Sequence, residues 1–371
     1  MIMLPEKMRR MLEKLVNELK CRVNVYGVGL FGSWSRGDAT ESSDVDLFIL
    51  SRNDFNYEYV ERLVSSGFLV DMNFVPRKWL HDMIPPEIDQ KLYEMQILYD
   101  RDWLLTNTKL LMAKSYASPE RIDIRTEAHL LDSDIYLSRA TSAFSREDYQ
   151  SAQIFAITAL DDILEILSEI AMEPFSNSHF IERMEHATAK LEMPDLFDKY
   201  LDTSKLNDIN DSRIRDKLEL FKTIWKEISI TTKSNVQKLR PIHFKVKAKL
   251  DYYLNPAFLQ GVIMRTNFLI DSEKIIEASH YLTKIFLDIA ENYAWLRFSS
   301  TGVRINWAIL MRLLRRLEEK NPKNYDRMVN FLNLSNIGKA EASDTINKTR
   351  ETVLKIRKDR KVLIKNYSIK S

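Results

Sequence analysis

The sequence predicts an α+β protein, with helices and strands alternating over about the first hundred residues and helices alone after that. Two observations carry this reading. Between Val23 and Tyr99, short apolar runs are separated by Gly, Pro and polar turns, as strands and their connections are. From about Trp103 no strand pattern returns, and apolar residues recur at helical spacing instead. Composition agrees: the 371 residues are 45% apolar and 29% charged with only 8 Gly, which suits a folded, helix-rich chain of two or three domains.

The first helix is marked by Pro5 near its first turn and by Met8, Met11, Leu12, Leu15, Val16 and Leu19 at helical spacing. A strand is expected from Val23 to Phe31, followed by a Gly-Ser turn and a short helix. A second strand opens at Asp44-Val45-Asp46 and runs to about Leu50. The stretch from Tyr57 to Ser66 reads as a helix with Tyr59, Val60, Leu63 and Val64 inward, ended by Gly67. Phe68 to Val75 is a strand with Asp71 inside it. Pro76, Pro85 and Pro86 punctuate a loop and a short helix carrying Trp79 and Leu80, and Met95 to Tyr99 is a last short strand.

Beyond these lies a hairpin of long helices, Thr126 to Ser145 and Tyr149 to Ala171. The second is strongly periodic in Ala152, Phe155, Ala159, Ile163 and Leu167, and Pro174 ends it. Helices follow across Ser178 to Leu191, Asp195 to Leu201 and Asp211 to Ile228. Thr231 to Pro241 is polar and reads as a linker, and the remainder is helical again. Glu147, Ala152, Phe155, Leu160, Asp162 and Glu165 have counterparts 126 residues on, in Glu273, Ala278, Tyr281, Phe286, Asp288 and Glu291. That is the pattern of a duplicated bundle, or of two amphipathic helices that look alike. The expected domains are residues 1–104, 105–235 and 236–371. The last ends in a basic helix, Asn347 to Lys370, which is either a solvated face or a holder of RNA or an acidic partner.

Charge and cysteine usage exclude several classes. A net charge of +2 makes no global demand for nucleic acid. The single cysteine, Cys21, excludes an internal disulfide, fits a reducing compartment and reads as a small packed side chain. No stretch is apolar for long enough to span a bilayer, and Met1 to Arg10 lacks a signal-peptide core, so a cytoplasmic protein is expected. The six histidines are scattered, none at zinc-ligand spacing with cysteine. Trp295, Trp307 and Phe298 read as core.

Chemistry concentrates in Gly27 to Leu50. Alternation places Asp44 and Asp46 on one face of a strand, where two carboxylates repel unless a cation stands between them. A hard divalent ion is the obvious candidate, since it takes one or two carboxylates and completes its shell with water and phosphate. Ahead of them, a strand that ends in Gly32-Ser33 and turns into a short helix offers backbone N–H groups and a hydroxyl to a phosphate tail. Arg36 is spaced to add charge-assisted bonds to phosphate, with a salt bridge to Asp38 or Asp44 as the structural alternative.

The string Gly32, Ser33, Arg36, Gly37, Ala39, then Ser43, Asp44, Asp46, Leu47 resembles the signature of the polymerase-β-like nucleotidyltransferase superfamily, in its minimal branch. The resemblance covers roughly residues 1–105. It implies a small mixed-sheet catalytic domain over 1–104, with the helical remainder similar to the bundles that accompany minimal nucleotidyltransferases. It also implies that Asp71 joins Asp44 and Asp46 to hold two Mg²⁺ ions, with Mn²⁺ as a substitute, and that Gly32, Ser33 and Arg36 bind the triphosphate. The implied activity is transfer of a nucleoside monophosphate from a triphosphate, ATP being the expected donor, to an acceptor hydroxyl, with release of pyrophosphate.

The short gap from Asp46 to Asp71 favours a small hydroxylated molecule or a protein as acceptor. The alternatives are an RNA end, or a catalytically silent nucleotide-binding or scaffold protein. Glu127, Asp132 and Asp134 are candidates for a general base on the first long helix. The Arg-x4-6-His motif of RNA-cleaving bundles is not evident, since Arg183 and His186 have the wrong spacing. A homo-oligomer is compatible with the sequence, and no membrane partner is expected.

Overall fold

The computed structural model describes residues 4–53, 55–207, 209–233, 244–299 and 306–367. The chain packs as two compact units, residues 1–118 with 243–268, and residues 119–242 with 269–371. These bounds cross those of the three domains read from the sequence at 104 and 235. A segment late in the chain returns to the first unit, and sequence locality carries no sign of such a return.

The first unit begins with α1 (Glu6–Lys20), β1 (Val25–Phe31), α2 (Ser33–Arg36) and β2 (Val45–Ser51). It continues with β3 (Tyr59–Ser65), β4 (Phe68–Pro76), α3 (Asp89–Glu94), β5 (Gln96–Asp100) and α4 (Leu104–Ser115). The five strands form one mixed sheet in the order β3-β4-β2-β1-β5. β2 and β4 run parallel, and the other neighbours are antiparallel. Met8, Met11, Leu12, Leu15 and Leu19, one stripe of α1, pack on Val28, Leu30, Leu47, Ile49 and Val70. Burial of that apolar face, more than helix propensity, holds α1 in place.

One element departs from expectation. Tyr57 to Ser66, read as a helix, contains strand β3. Tyr59, Val60, Leu63 and Val64 fit either period, and their β-branched and aromatic character decides for the strand. Ser66 and Gly67 both have positive φ (51° and 85°) and link Ser65 to its partner Phe68, which makes a two-residue hairpin turn of the primed type. Gly67 therefore closes a hairpin and does not cap a helix. The consequence is positional: the register sets Arg62 opposite Asp71. Cys21, expected to be packed, is exposed.

The second unit is helical: α5 (Pro119–Ser145), α6 (Tyr149–Ala171), α7 (Phe180–Lys190), α8 (Pro194–Thr203) and α9 (Asp211–Lys233). The expected linker falls mostly outside the described residues, and its Thr231, Thr232 and Lys233 belong to α9. The chain then supplies α10 (Phe244–Tyr253) and α11 (Pro256–Asp271), which through residue 268 belong to the first unit. It ends with α12 (Ile275–Ser299), α13 (Leu310–Leu317), α14 (Pro322–Phe331) and α15 (Lys339–Tyr367).

The repeat seen in the sequence has a local counterpart. Glu147 and Glu273 both sit at positive φ (60° and 59°). Asp148 N–H donates to the carbonyl of Ala143, and Lys274 N–H donates to that of Leu269, at the same offset. Trp295 is 38% exposed and stacks on the half-buried Trp307, so neither is the core residue expected. On α15, Lys348 pairs with Asp202 and Asp344, Arg357 with Asp134, and Arg360 with Asp123 and Glu127. These charges of the basic helix are spent inside the unit, and two of the acids offered as a general base are engaged by them.

A buried ionic network ties α5 to α6. His129 stands 3.5 Å from Glu165 Oε2 and 3.7 Å from Glu169 Oε1, and Arg125 Nε donates to Glu169 Oε2 at 2.6 Å. Burial opposes the imidazolium, but Glu169 and then Glu165 outweigh it and raise His129 to about 9. The folded chain thus holds this proton more tightly than the unfolded one does. The stability gained is whole below about pH 6.5 and is lost as pH rises through about 9. With the side chain 24% exposed, His129→Gln should cost about 2 kcal/mol at about pH 6 and far less at about pH 10, by urea unfolding.

Candidate active site

The sheet brings the three predicted carboxylates together. Asp44 ends the loop into β2, Asp46 is the second residue of β2, and Asp71 lies in β4 directly beside Asp46 in the parallel register. Asp44 is therefore placed by the turn and not by strand alternation. Burial first, then the charges of Asp44 and Asp71, push Asp46 well above the usual carboxylate range. That crowding is the electrostatic mark of three acids sharing one small volume.

Gly32 makes room for it. Its φ of +74° is in the left-handed region, and a Cβ added there would lie 2.6 Å from Asp46 Oδ2. Gly32→Ala should therefore destabilise by about 1–3 kcal/mol through backbone strain and displacement of Asp46, read from the urea midpoint.

Ser33 opens α2 and is half-buried. The donors assigned to phosphate meet an acid that sequence reading missed. Glu94, at the end of α3, accepts from Gly32 N–H through Oε1 and from Arg36 Nη1 through Oε2, each at 2.7 Å. Arg36 Nε also bonds Asp38 Oδ2 at 3.2 Å, the structural partner anticipated for it. A carboxylate thus bridges a backbone amide and a guanidinium, which are groups suited to a phosphate oxygen.

Three further residues missed in the sequence stand on the carboxylates themselves. Arg62 Nε and Nη2 donate to Asp71 Oδ1 and Oδ2 at 2.5 and 2.6 Å, and Nη2 reaches Asp44 Oδ2 at 2.5 Å. Arg265 of α11 donates from Nη2 to Asp44 Oδ1 at 2.5 Å. The Tyr252 hydroxyl of α10 donates to Asp71 Oδ2 at 2.8 Å. The rings of Tyr252 and Phe258 lie 5.2 and 5.3 Å from the Arg62 guanidinium carbon. Asn255 Nδ2 bonds the Arg62 carbonyl at 3.1 Å.

Gly261 lets α11 approach, since a Cβ there would be 2.7 Å from Arg62 Nη1. Burial would raise Asp44, but Arg265 and then Arg62 hold its carboxyl below the usual range. For Asp71 burial outweighs the bonds from Arg62, and its carboxyl stays raised.

Three oxygen-rich ligands are the right chemistry for a hard divalent ion. As arranged, they do not fit one: every oxygen of Asp44 and Asp71 is bonded to a guanidinium, and Asp46 alone carries no such bond. Among the described residues no group of three His, Cys, Asp or Glu side chains is set to hold a metal. Nor is any helix among them long and apolar enough to cross a membrane.

Residues 12–101 match the family model described as a nucleotidyltransferase domain. Over 48 residues the chain is 44% identical to a protein of Methanocaldococcus jannaschii named as a candidate protein adenylyltransferase. That match takes in 12% of this chain and 48% of the relative, so the chain spans about half of the relative's length. A solved nucleotidyltransferase-like protein from Exiguobacterium sibiricum is similar at 12% identity and a TM-score of 0.34, over 87% of this chain and 90% of that one. The mixed five-stranded sheet, the Gly-Ser turn and the grouped aspartates agree with the matched family, and residues 12–101 are a nucleotidyltransferase domain with the polymerase-β-like fold.

Proposed function

We propose that this protein transfers a nucleoside monophosphate from ATP to a hydroxyl on a protein acceptor. The observation that carries the reading is the register of β2 and β4, which sets Asp46 beside Asp71 with Asp44 next to both, behind the Gly32-Ser33 turn. In the reaction the acceptor oxygen bonds the α-phosphorus as the bond to pyrophosphate breaks, and Asp71 takes the hydroxyl proton. Gly32, Ser33 and Arg36 bind the outgoing phosphates once these displace Glu94 from Gly32 N–H and Arg36. The name of the M. jannaschii relative supports a protein acceptor over a small hydroxylated molecule.

A second reading has its own support. The guanidinium bonds to Asp44 and Asp71 suit a protein that keeps the fold and binds nucleotide without turnover. Incubation with each α-labelled nucleoside triphosphate and Mg²⁺ or Mn²⁺, in the presence of candidate acceptors, separates the two. Label on a protein together with equimolar pyrophosphate supports transfer. Binding of a triphosphate with no pyrophosphate released from any of the four supports the silent reading.

A further inference from the structure

We propose that Glu94 is an internal competitor for the phosphate cradle: its carboxylate stands in for a phosphate group on Gly32 and Arg36, keeps the affinity for pyrophosphate low, and returns after transfer to displace it. The inference rests on the reading of Gly32, Ser33 and Arg36 as phosphate binders, and it concerns how that cradle is filled and emptied.

The carboxylate occupies the cradle as a ligand would. Oε1 accepts from Gly32 N–H and Oε2 from Arg36 Nη1, each at 2.7 Å. One anionic group thus spans a backbone donor and a guanidinium, as two oxygens of a single phosphate could. The Glu94 side chain is 6% exposed and that of Arg36 20%, while Gly32 and Ser33 are half-buried. The acid is covered, and the donors it engages stay within reach of solvent.

The turn does not depend on this carboxylate for its place in the fold. Ser35 Oγ donates to the Glu94 carbonyl at 2.5 Å, and Gln96 Nε2 donates to the Ser35 carbonyl at 3.1 Å. Gln96 is fixed in β5, opposite Leu30 of β1. These bonds tie the turn to the segment 94–96 without using either Glu94 carboxylate oxygen. Displacement therefore asks only that one side chain turn away. Gln90 Nε2, one helical turn back on α3, stands 3.2 Å from Oε2 and offers a partner that depends on neither Gly32 nor Arg36.

Charge and tethering set the size of the effect. Arg36 faces two acids, Glu94 at 2.7 Å and Asp38 at 3.2 Å, so the resting cradle presents no net positive charge to an anion. Glu94 is also held beside its donors by the chain, so it competes at a high effective concentration. A ligand that needs the open cradle binds more weakly by the fraction of time the cradle is open, whatever the rest of the ligand is. A triphosphate regains part of that loss through its nucleoside. Free pyrophosphate has no such second hold, so the returning carboxylate favours its release.

Pyrophosphate binding to the full chain, measured by calorimetry in EDTA, tests this without turnover. Glu94→Gln and Glu94→Ala should each bind pyrophosphate at least about 10-fold more tightly than the wild type, the factor for a cradle open about one-tenth of the time or less. Adding Arg36→Gln to Glu94→Ala should abolish the gain. Adenosine, which carries no phosphate, should show no gain in either variant.

Equal or weaker pyrophosphate binding by both variants overturns the proposal, and so does loss of cooperative thermal unfolding in both, which would make the carboxylate a strut of the turn. If Arg36→Gln alone still removes wild-type binding of pyrophosphate, the phosphate reading of the cradle survives that failure. If neither wild type nor variants bind pyrophosphate or ATP, the cradle is not a phosphate site, and both readings fall together.

Discussion

Asp46→Asn is expected to lower nucleotidyl transfer by about 1,000-fold or more while making the folded protein more stable at neutral pH. The two effects have one cause. Asp46 is half-buried beside Asp44 and Asp71, and no guanidinium bond is spent on it. Its negative charge is the least compensated of the three, so it costs stability and is available for chemistry.

The sign of the pH dependence follows. Asp46 holds a proton more tightly in the folded chain than in the unfolded one, so its favourable contribution is present below the ordinary carboxylate range and is lost as pH rises. An asparagine never ionises and escapes that loss. The variant should therefore gain in Tm over wild type at about pH 7, with the gain shrinking towards about pH 4. Thermal unfolding at the two pH values, beside a labelled-nucleotide transfer assay, reads both effects. A variant that loses activity and also loses stability would point to Asp46 as a packing residue.

What could be read in the sequence was what local physics determines. The Gly32-Ser33 turn, the Asp44-x-Asp46 pair and the strand around Asp71 each declare themselves within a few residues. The parallel register that joins Asp46 to Asp71 then follows from the fold those motifs imply. The residues that neutralise the site were hidden for two separate reasons.

Arg62 lay in a stretch whose apolar spacing satisfies a helix and a strand alike. On a helix it would have been one more solvated arginine, whereas on β3 it faces Asp71. Tyr252 and Arg265 meet Asp71 and Asp44 across 181 and 221 residues, and no periodicity reports a contact of that range. Glu94 was overlooked because an acid at the end of a short helix is ordinarily a surface residue, and only its bonds to Gly32 and Arg36 single it out.

Arg62→Met should destabilise the protein by about 3–5 kcal/mol, the range for removing one partner of a buried ion pair. The magnitude discriminates between the two shapes considered for residues 57–66. An arginine on an exposed helix face would cost within about 0.5 kcal/mol when replaced by a residue of similar length. On β3 its loss leaves Asp71 buried without its bidentate partner and returns Asp44 to Arg265 alone.

Methionine keeps much of the apolar volume between Tyr252 and Phe258, so little of the loss comes from packing. Charge is then the quantity under test, and the double variant Arg62→Met with Asp71→Asn should recover about half of the loss or more, because it removes the stranded carboxylate together with its partner. Urea unfolding of the wild type, the two single variants and the double variant gives the coupling energy directly. If the single effects simply add, Arg62 and Asp71 do not act as a pair. A large coupling would mean that the sheet is held together at this point by the same carboxylate that the chemistry needs.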